Sequence, residues 1–157
     1  LLCGNTVVFK PSEYASMSGL AMAKLLHEAG VPEDAFVPVV GGGDVGSALV
    51  AQPVDGVFFT GSYGTGRRIV EALAGRMIRV QLELGGKDPT YVCDDADPVA
   101  AAASLADGAM YNAGQSCCSV ERIYVHAAIA PAFIAAFAKT VEGCVVGDPE
   151  KDETYVG

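Results

Sequence analysis

The sequence predicts an α/β chain whose strands form a mainly parallel sheet, and two observations carry that reading. Short apolar runs bounded by Gly and Pro alternate with segments of helical period, the pattern of successive βαβ windings. The composition is that of a globular chain, with 157 residues of which 51% are hydrophobic, enough to bury one core of ordinary size.

The elements follow in order. Residues 6–10 read as a strand and 16–29 as a helix that places Met17, Leu20, Ala21 and Leu25 on one face, with Gly30 as its stop and Pro32 beyond. A strand at 35–40 leads to a short helix at 44–51 that begins on an acidic cap, Asp44. A strand at 54–60, a helix at 64–74 and a strand at 77–84 complete this stretch. After Gly85-Gly86 the pattern shifts: Asp97-Pro98 caps an Ala-rich helix running to about Tyr111, followed by a strand at 122–126 and a helix at 131–142. The shift places a domain boundary near 84–87, dividing the chain into 1–84 and 85–157, with no internal repeat and no low-complexity linker.

Charge and cysteine usage bound the function. Nineteen acidic against ten basic side chains give a net charge of −9, which argues against a nucleic-acid or anionic-membrane surface. Apolar stretches such as 100–106 fall far short of the roughly 20 residues of a spanning helix, and no leader precedes them, so a soluble protein is expected. The cysteines at 3, 93, 117, 118 and 144 form no metal-ligand spacing, and their odd number fits reduced thiols in a cytoplasmic compartment. Leu1 opens directly inside an apolar strand-like run and Tyr155-Val156-Gly157 closes without a cap or polar tail, as in a piece of a longer protein.

Two segments carry chemistry. In Gly114-Gln115-Ser116-Cys117-Cys118-Ser119, small neighbours just ahead of a strand leave a thiol reachable as a nucleophile, and adjacent cysteines are not expected to face one pocket. Glu83 ends the apolar run from Val80 to Leu84, before two glycines that let backbone approach a ligand closely. A thiol and a carboxylate base together suffice to make a thioester and hydrolyse it. Gly61-Ser62-Tyr63-Gly64-Thr65-Gly66 leads from a strand into a helix, where backbone N–H groups suit a pyrophosphate. Residues 41–46 satisfy the letters of G-x-G-x-x-G, but Asp44 disfavours phosphate there, so that loop reads as a flexible wall. His27, on the polar face of its helix, and His126, at a strand end, read as structural or solvated. Lys87 reads as structural and Arg122 as a loop anchor or subunit contact.

In order and in approximate spacing, Phe9-Lys10-Pro11-Ser12-Glu13, Phe59-Thr60-Gly61-Ser62, Glu83-Leu84-Gly85-Gly86-Lys87 and Gly114-Gln115-Ser116-Cys117 resemble the motifs of the NAD(P)-dependent aldehyde dehydrogenases. The resemblance implies a Rossmann-like parallel sheet with helices that continues into the α/β catalytic domain of that fold. Residues 1–84 correspond to the back of its NAD-binding domain and 85–157 to the front of its catalytic domain. It makes Cys117 the nucleophile and Glu83 the base, and assigns Lys10, Ser12, Glu13, Gly46, Gly61, Ser62, Gly66 and Leu84 to the cofactor, with no metal. Lys10 would bond ribose hydroxyls, and Glu13 would repel a 2′-phosphate, favouring NAD with NADP as the alternative. The presence of Glu83 favours a free carboxylic acid as product, since relatives that acylate coenzyme A tend to lack it.

The implied reaction is attack of Cys117 on a small aldehyde, hydride transfer to nicotinamide, and hydrolysis of the thioester. The backbone N–H of Cys117 would hold the oxyanion, the family's second donor being an asparagine upstream of Leu1. Tyr111 is expected to touch the aldehyde, and the family implies a homo-oligomer, dimer or tetramer. Two other readings compete. A non-catalytic nucleotide-binding fragment would lack that asparagine and the downstream Glu-x-Phe segment, and a thiol hydrolase would work without NAD.

Overall fold

Parallel pairing of short apolar strands through a helix organises each part of the chain. The computed structural model describes residues 1–157, which divide into two compact units, Leu1–Leu82 and Glu83–Gly157. In the first, β1 (Val7–Phe9) pairs in parallel with β2 (Phe36–Pro38), Val7 lying opposite Phe36. A 3₁₀ turn at Glu13–Ala15 and α1 (Ser16–Glu28) make the crossover that a parallel pair requires.

The face that α1 buries differs from the expectation. Gly19 and Ala23 are its buried residues, whereas Met17 and Leu25 are 79% and 65% exposed. A Cβ on Gly19 would stand 2.6 Å from the Pro11 ring and 3.3 Å from Phe9. Only the smallest side chains admit so close an approach, and the bulky residues turn outward. His27 also sits inward rather than on a polar face, with Nε2 2.9 Å from the Phe36 carbonyl oxygen and its ring edge-on to Phe36. The helix stops at Gly30, whose φ of 95° lets its N–H reach the His27 carbonyl and the Val31 N–H reach that of Leu26.

Next come α2 (Gly43–Val50), β3 (Gly56–Gly61), α3 (Tyr63–Leu73) and β4 (Arg79–Leu84), with β3 paired to β4. Gly42 rather than Asp44 is the N-cap of α2, and Asp44 lies in its first turn, where a carboxylate meets the positive end of the helix. The Arg76 guanidinium donates to the carbonyls of Val50 at 3.0 Å and Val54 at 2.7 Å, tying the turn after α3 to the loop before β3.

The second unit repeats the winding. β5 (Asp88–Val92) pairs in parallel with β6 (Val120–Val125) around α4 (Pro98–Met110), and α5 (Ala130–Glu142) follows. β5 is absent from the sequence reading because Asp88-Pro89 resembles a turn. The register slips between those two residues and is regular beyond them, as a proline at a strand's start allows. The core gathers Val92, Ala102 and Phe133, flanked by Leu105, Ile123, Val125 and Phe137. Ala102, fully buried, lets α4 and α5 approach closely, and Asp97 caps α4 by accepting from the N–H groups of Val99 at 2.8 Å and Ala100 at 3.1 Å. Near the C-terminus Val146 bridges Val156, and the Tyr155 hydroxyl donates to Asp107 Oδ1 at 2.5 Å. No helix is long and apolar enough to cross a membrane.

Candidate active site

The thiol loop begins where α4 fails to continue. A 3₁₀ turn at Tyr111–Gly114 contains three successive residues in the left-handed region, Asn112 at φ 52°, Ala113 at 55° and Gly114 at 70°. Glycine takes this conformation freely and asparagine tolerates it, but alanine pays about 1–2 kcal/mol for it. Reciprocal bonds hold the turn: the Gln115 N–H donates to the Asn112 carbonyl at 3.0 Å, and Asn112 Nδ2 donates to the Gln115 carbonyl at 3.3 Å.

A second turn follows at once. The Ser119 N–H donates to the Ser116 carbonyl at 3.2 Å, and the Ser116 N–H donates to Ser119 Oγ at 3.3 Å, with Ser119 itself buried. Cys117 and Cys118 occupy the middle of this turn and both are exposed. Cys118 Sγ lies 3.2 Å from Ser116 Oγ and 3.4 Å from the Tyr111 hydroxyl, and that hydroxyl donates in turn to Ser116. The Ser116 hydroxyl and then the Tyr111 hydroxyl hold the Cys118 thiol below the usual thiol range, with a smaller contribution from the Cys117 side chain. The same bond to Cys118 raises Tyr111. The Tyr111 hydroxyl is thus engaged with Ser116 and Cys118. Sequence reasoning missed this cluster: its members meet only because three residues turn left-handed, which no periodicity encodes.

Glu83 lies near the end of β4 and opens the second unit. Three residues on, Gly86 rests against the thiol turn: a Cβ there would stand 3.5 Å from the Cys117 carbonyl oxygen and 3.0 Å from Asp88 Oδ1. An ion pair between Lys87 and Glu121 fastens the same stretch to the start of β6, a structural task for Lys87. Glycine at 86 thus lets the strand end that bears Glu83 pass close to the backbone of Cys117. Leu84, the last residue of β4, also belongs to the second unit.

The remaining sequence-assigned residues lie in the first unit and form two groups. Lys10, its side chain only 15% exposed, has Nζ 3.8 Å from Glu13 Oε2 and donates to the Pro11 carbonyl at 3.0 Å. Gly46 faces the Lys10 stem, where a Cβ would meet Cδ at 3.6 Å. Ser12 caps the 3₁₀ turn by accepting from the Tyr14 N–H at 3.4 Å. The second group opens α3, where Ser62 Oγ accepts from the Thr65 N–H at 3.3 Å and the Gly66 N–H donates to the Ser62 carbonyl at 3.0 Å. Gly61 leaves room for the Phe59 ring, 2.6 Å from where its Cβ would be, and Gly66 is buried. A steric need explains part of the 41–46 glycine pattern, since a Cβ on Gly41 would collide with Val45 at 2.3 Å. No group of three or more His, Cys, Asp or Glu side chains is arranged to hold a metal ion.

Parallel βαβ units carrying a cysteine turn against a glycine strand end define an α/β protein, with that turn as the candidate site. Residues 1–157 match the aldehyde dehydrogenase family throughout, and the chain belongs to that family. It is similar to betaine aldehyde dehydrogenase of Rhizobium johnstonii, at 42% identity over all of this chain and 32% of that protein. Among solved structures it is similar to an NAD-dependent aldehyde dehydrogenase from Sinorhizobium meliloti, at 41% identity and a TM-score of 0.92, covering 97% of this chain and 31% of the other. Lactaldehyde dehydrogenase of Escherichia coli superposes with a TM-score of 0.94 at 38% identity, over 99% of this chain and 33% of that one. The chain thus spans about a third of the length of the curated relatives it matches.

Proposed function

We propose that this chain supplies the nucleophile, the base and part of the cofactor site of an NAD-dependent aldehyde dehydrogenase that oxidises a small aldehyde to its carboxylic acid. The observation that carries this reading is the approach of Gly86 to the Cys117 carbonyl, which joins the strand end bearing Glu83 to the thiol turn inside one unit. The Cys117 thiolate adds to the aldehyde carbonyl and its own backbone N–H holds the oxyanion. Glu83 takes a proton from the water that hydrolyses the resulting thioester.

The residues of the first unit fit a dinucleotide. Lys10 is a largely sheltered cation beside a carboxylate, able to donate to ribose hydroxyls while Glu13 accepts. The start of α3 offers the N–H groups of Tyr63 and Gly64 to a pyrophosphate, that of Thr65 being held by Ser62 Oγ. Glu13 disfavours a 2′-phosphate, which supports NAD over NADP, and one similar solved structure is described as NAD-dependent. When bound, the cofactor supplies the acceptor for the aldehyde's hydride. In this reading residues 1–84 form the back of the NAD-binding domain and 85–157 the front of the catalytic domain, and Leu84 contacts the cofactor. The full protein works as a homo-oligomer in the cytoplasm, where the five unpaired cysteines of residues 1–157 stay reduced.

The test is NADH formation from a panel of short aliphatic and aromatic aldehydes by the full-length protein, beside Cys117→Ser and with NADP in parallel. Turnover that Cys117→Ser abolishes and that prefers NAD supports the reading. Absence of turnover with either cofactor while NAD still binds leaves a nucleotide-binding protein, and ester cleavage without NAD alone would make it a thiol hydrolase.

A further inference from the structure

The Cys117 backbone N–H is the donor that the proposed reaction needs, and no backbone carbonyl of the chain occupies it. An amide stabilises a developing oxyanion only when it is held beforehand at the angle the oxygen will require. The residue two places on supplies that hold. The Ser119 N–H donates to the Ser116 carbonyl at 3.2 Å, and the Ser116 N–H donates to Ser119 Oγ at 3.3 Å. The Ser116 carbonyl and the Cys117 N–H belong to one planar trans peptide and point in opposite directions. A carbonyl drawn toward Ser119 therefore turns the Cys117 N–H away from it, out of the turn. We propose that Ser119 is a positioning residue for the thiol chemistry, its two bonds to Ser116 aiming the Cys117 N–H at the oxygen of the bound substrate. The inference rests on the reading of Cys117 as nucleophile given above.

Ser119 is 2% exposed, so water does not compete for either bond. With both backbone polar groups of Ser116 bound to one buried residue, rotation about Ser116 has to break a bond at each end. Without the hydroxyl, the remaining bond is a pivot about which the Cys117 N–H can swing away. The far side of Cys117 is held independently: the Cys118 N–H donates to Ser116 Oγ at 3.4 Å, and the Cys117 carbonyl passes 3.5 Å from where a Cβ of Gly86 would stand. The same N–H serves both halves of the reaction. When the Cys117 sulfur bonds to the aldehyde carbon, the carbonyl π pair moves onto the oxygen, and loss of the hydride to the dinucleotide returns it. Addition of water to the thioester raises that charge a second time, and departure of the thiolate ends it.

The experiment mixes the full-length protein, in excess, with aldehyde and saturating NAD and follows NADH over a single turnover in the native protein, Ser119→Ala, Ser119→Thr and Cys117→Ser. Ser119→Ala should lose about tenfold in the rate constant, less than the roughly 10²–10³ of a deleted oxyanion donor, whereas Ser119→Thr keeps the hydroxyl and should retain most of it. NAD affinity should be unchanged, and the pH profile should keep its shape, because the lost bond involves no titrating group. Cleavage of an activated phenyl ester, which raises an oxyanion on the acyl carbon without NAD, should fall by a similar factor. A loss confined to the number of active sites, with the rate constant intact, would make Ser119 a packing residue and overturns the inference. Equal losses in Ser119→Ala and Ser119→Thr overturn it as well. Where Ser119→Ala accumulates poorly, Ser119→Val against Ser119→Thr, alike in shape, isolates the hydroxyl and should show the same gap. Turnover by Cys117→Ser at the native rate sinks the reading of the nucleophile and this inference with it. An inactive Cys117→Ser beside an unimpaired Ser119→Ala sinks this inference alone.

Discussion

Ala113 is where the thiol loop is most costly to fold. At φ 55° its Cβ crowds the following carbonyl, and nothing but the flanking Asn112 and Gly114 shares the left-handed bend. Strain of this kind persists where the surroundings fix it, as they do ahead of Cys117. Ala113→Gly should therefore raise stability by about 0.5–1 kcal/mol, since relief of the left-handed penalty exceeds the added freedom of the unfolded chain. A urea midpoint that falls instead would mean that the Ala113 methyl makes packing contacts worth more than the strain. At Glu83 the expectation is kinetic. In the full-length protein Glu83→Gln should preserve a first burst of NADH while steady turnover drops by about 10²-fold or more, because in the proposed reaction only hydrolysis of the thioester needs the base. A variant that loses the burst as well would place Glu83 before the thioester. The sequence singles out Cys117 and Glu83 as candidates for the proposed nucleophile and base through their neighbours: small residues around a thiol, glycines after a carboxylate. The grip of Tyr111 and Ser116 on Cys118 was not legible there, since it depends on backbone angles that residue types only permit.

Among the elements, helix positions were easier to read than helix faces. The Gly30 stop and the Asp97 cap mark their ends by local chemistry, whereas α1 buries Gly19 and Ala23 because Pro11 and Phe9 leave no room for more. β5 escaped notice because its first two residues read as a turn, and only pairing with β6 draws 88–92 into a strand. The helices that pack on this pair make quantitative expectations possible. Phe133, 3% exposed and stacked on Phe137 at 5.8 Å, sits in the core cluster with Val92 and Ala102, so Phe133→Ala should cost about 3–5 kcal/mol. Asp97→Ala, which only uncaps α4, should cost about 1 kcal/mol. Equal losses in the two variants would contradict the core described here. At the far end of α4, the Asp107 carboxylate accepts from the Tyr155 hydroxyl and raises Tyr155 from its ordinary 10.0 to about 12. The folded value lies above the unfolded one, so this contact contributes fully below pH 10 and is lost as pH rises through about 12. An ultraviolet titration of tyrosinate should show one late-ionising tyrosine that Asp107→Asn returns toward 10.0, and an unchanged titration in that variant would remove the contact.

For the molecule as a whole, the alternation of strand and helix was enough to read an α/β architecture, while the division at Leu82 and Glu83 reflects contacts that no single segment reveals. Charge acts at this scale too. The net charge of −9 opposes compaction through mutual repulsion, and four ion pairs work against it: Lys10–Glu13, Lys24–Glu28, Arg67–Glu71 and Lys87–Glu121. Lys24–Glu28 and Arg67–Glu71 have both partners well exposed, where such pairs contribute about 0–1 kcal/mol each and are themselves weakened by salt. The repulsion involves every unpaired carboxylate and acts over longer distances, so screening should remove more destabilisation than stabilisation. The urea midpoint should accordingly rise as sodium chloride is raised from about 10 mM to about 0.15 M, while the Debye length shrinks from about 30 to about 8 Å, and then level off. Sulfate offers a control, because it is also excluded from protein surfaces and should continue to stabilise after screening is complete. A midpoint that falls in sodium chloride would show that the four pairs outweigh the repulsion among the excess carboxylates.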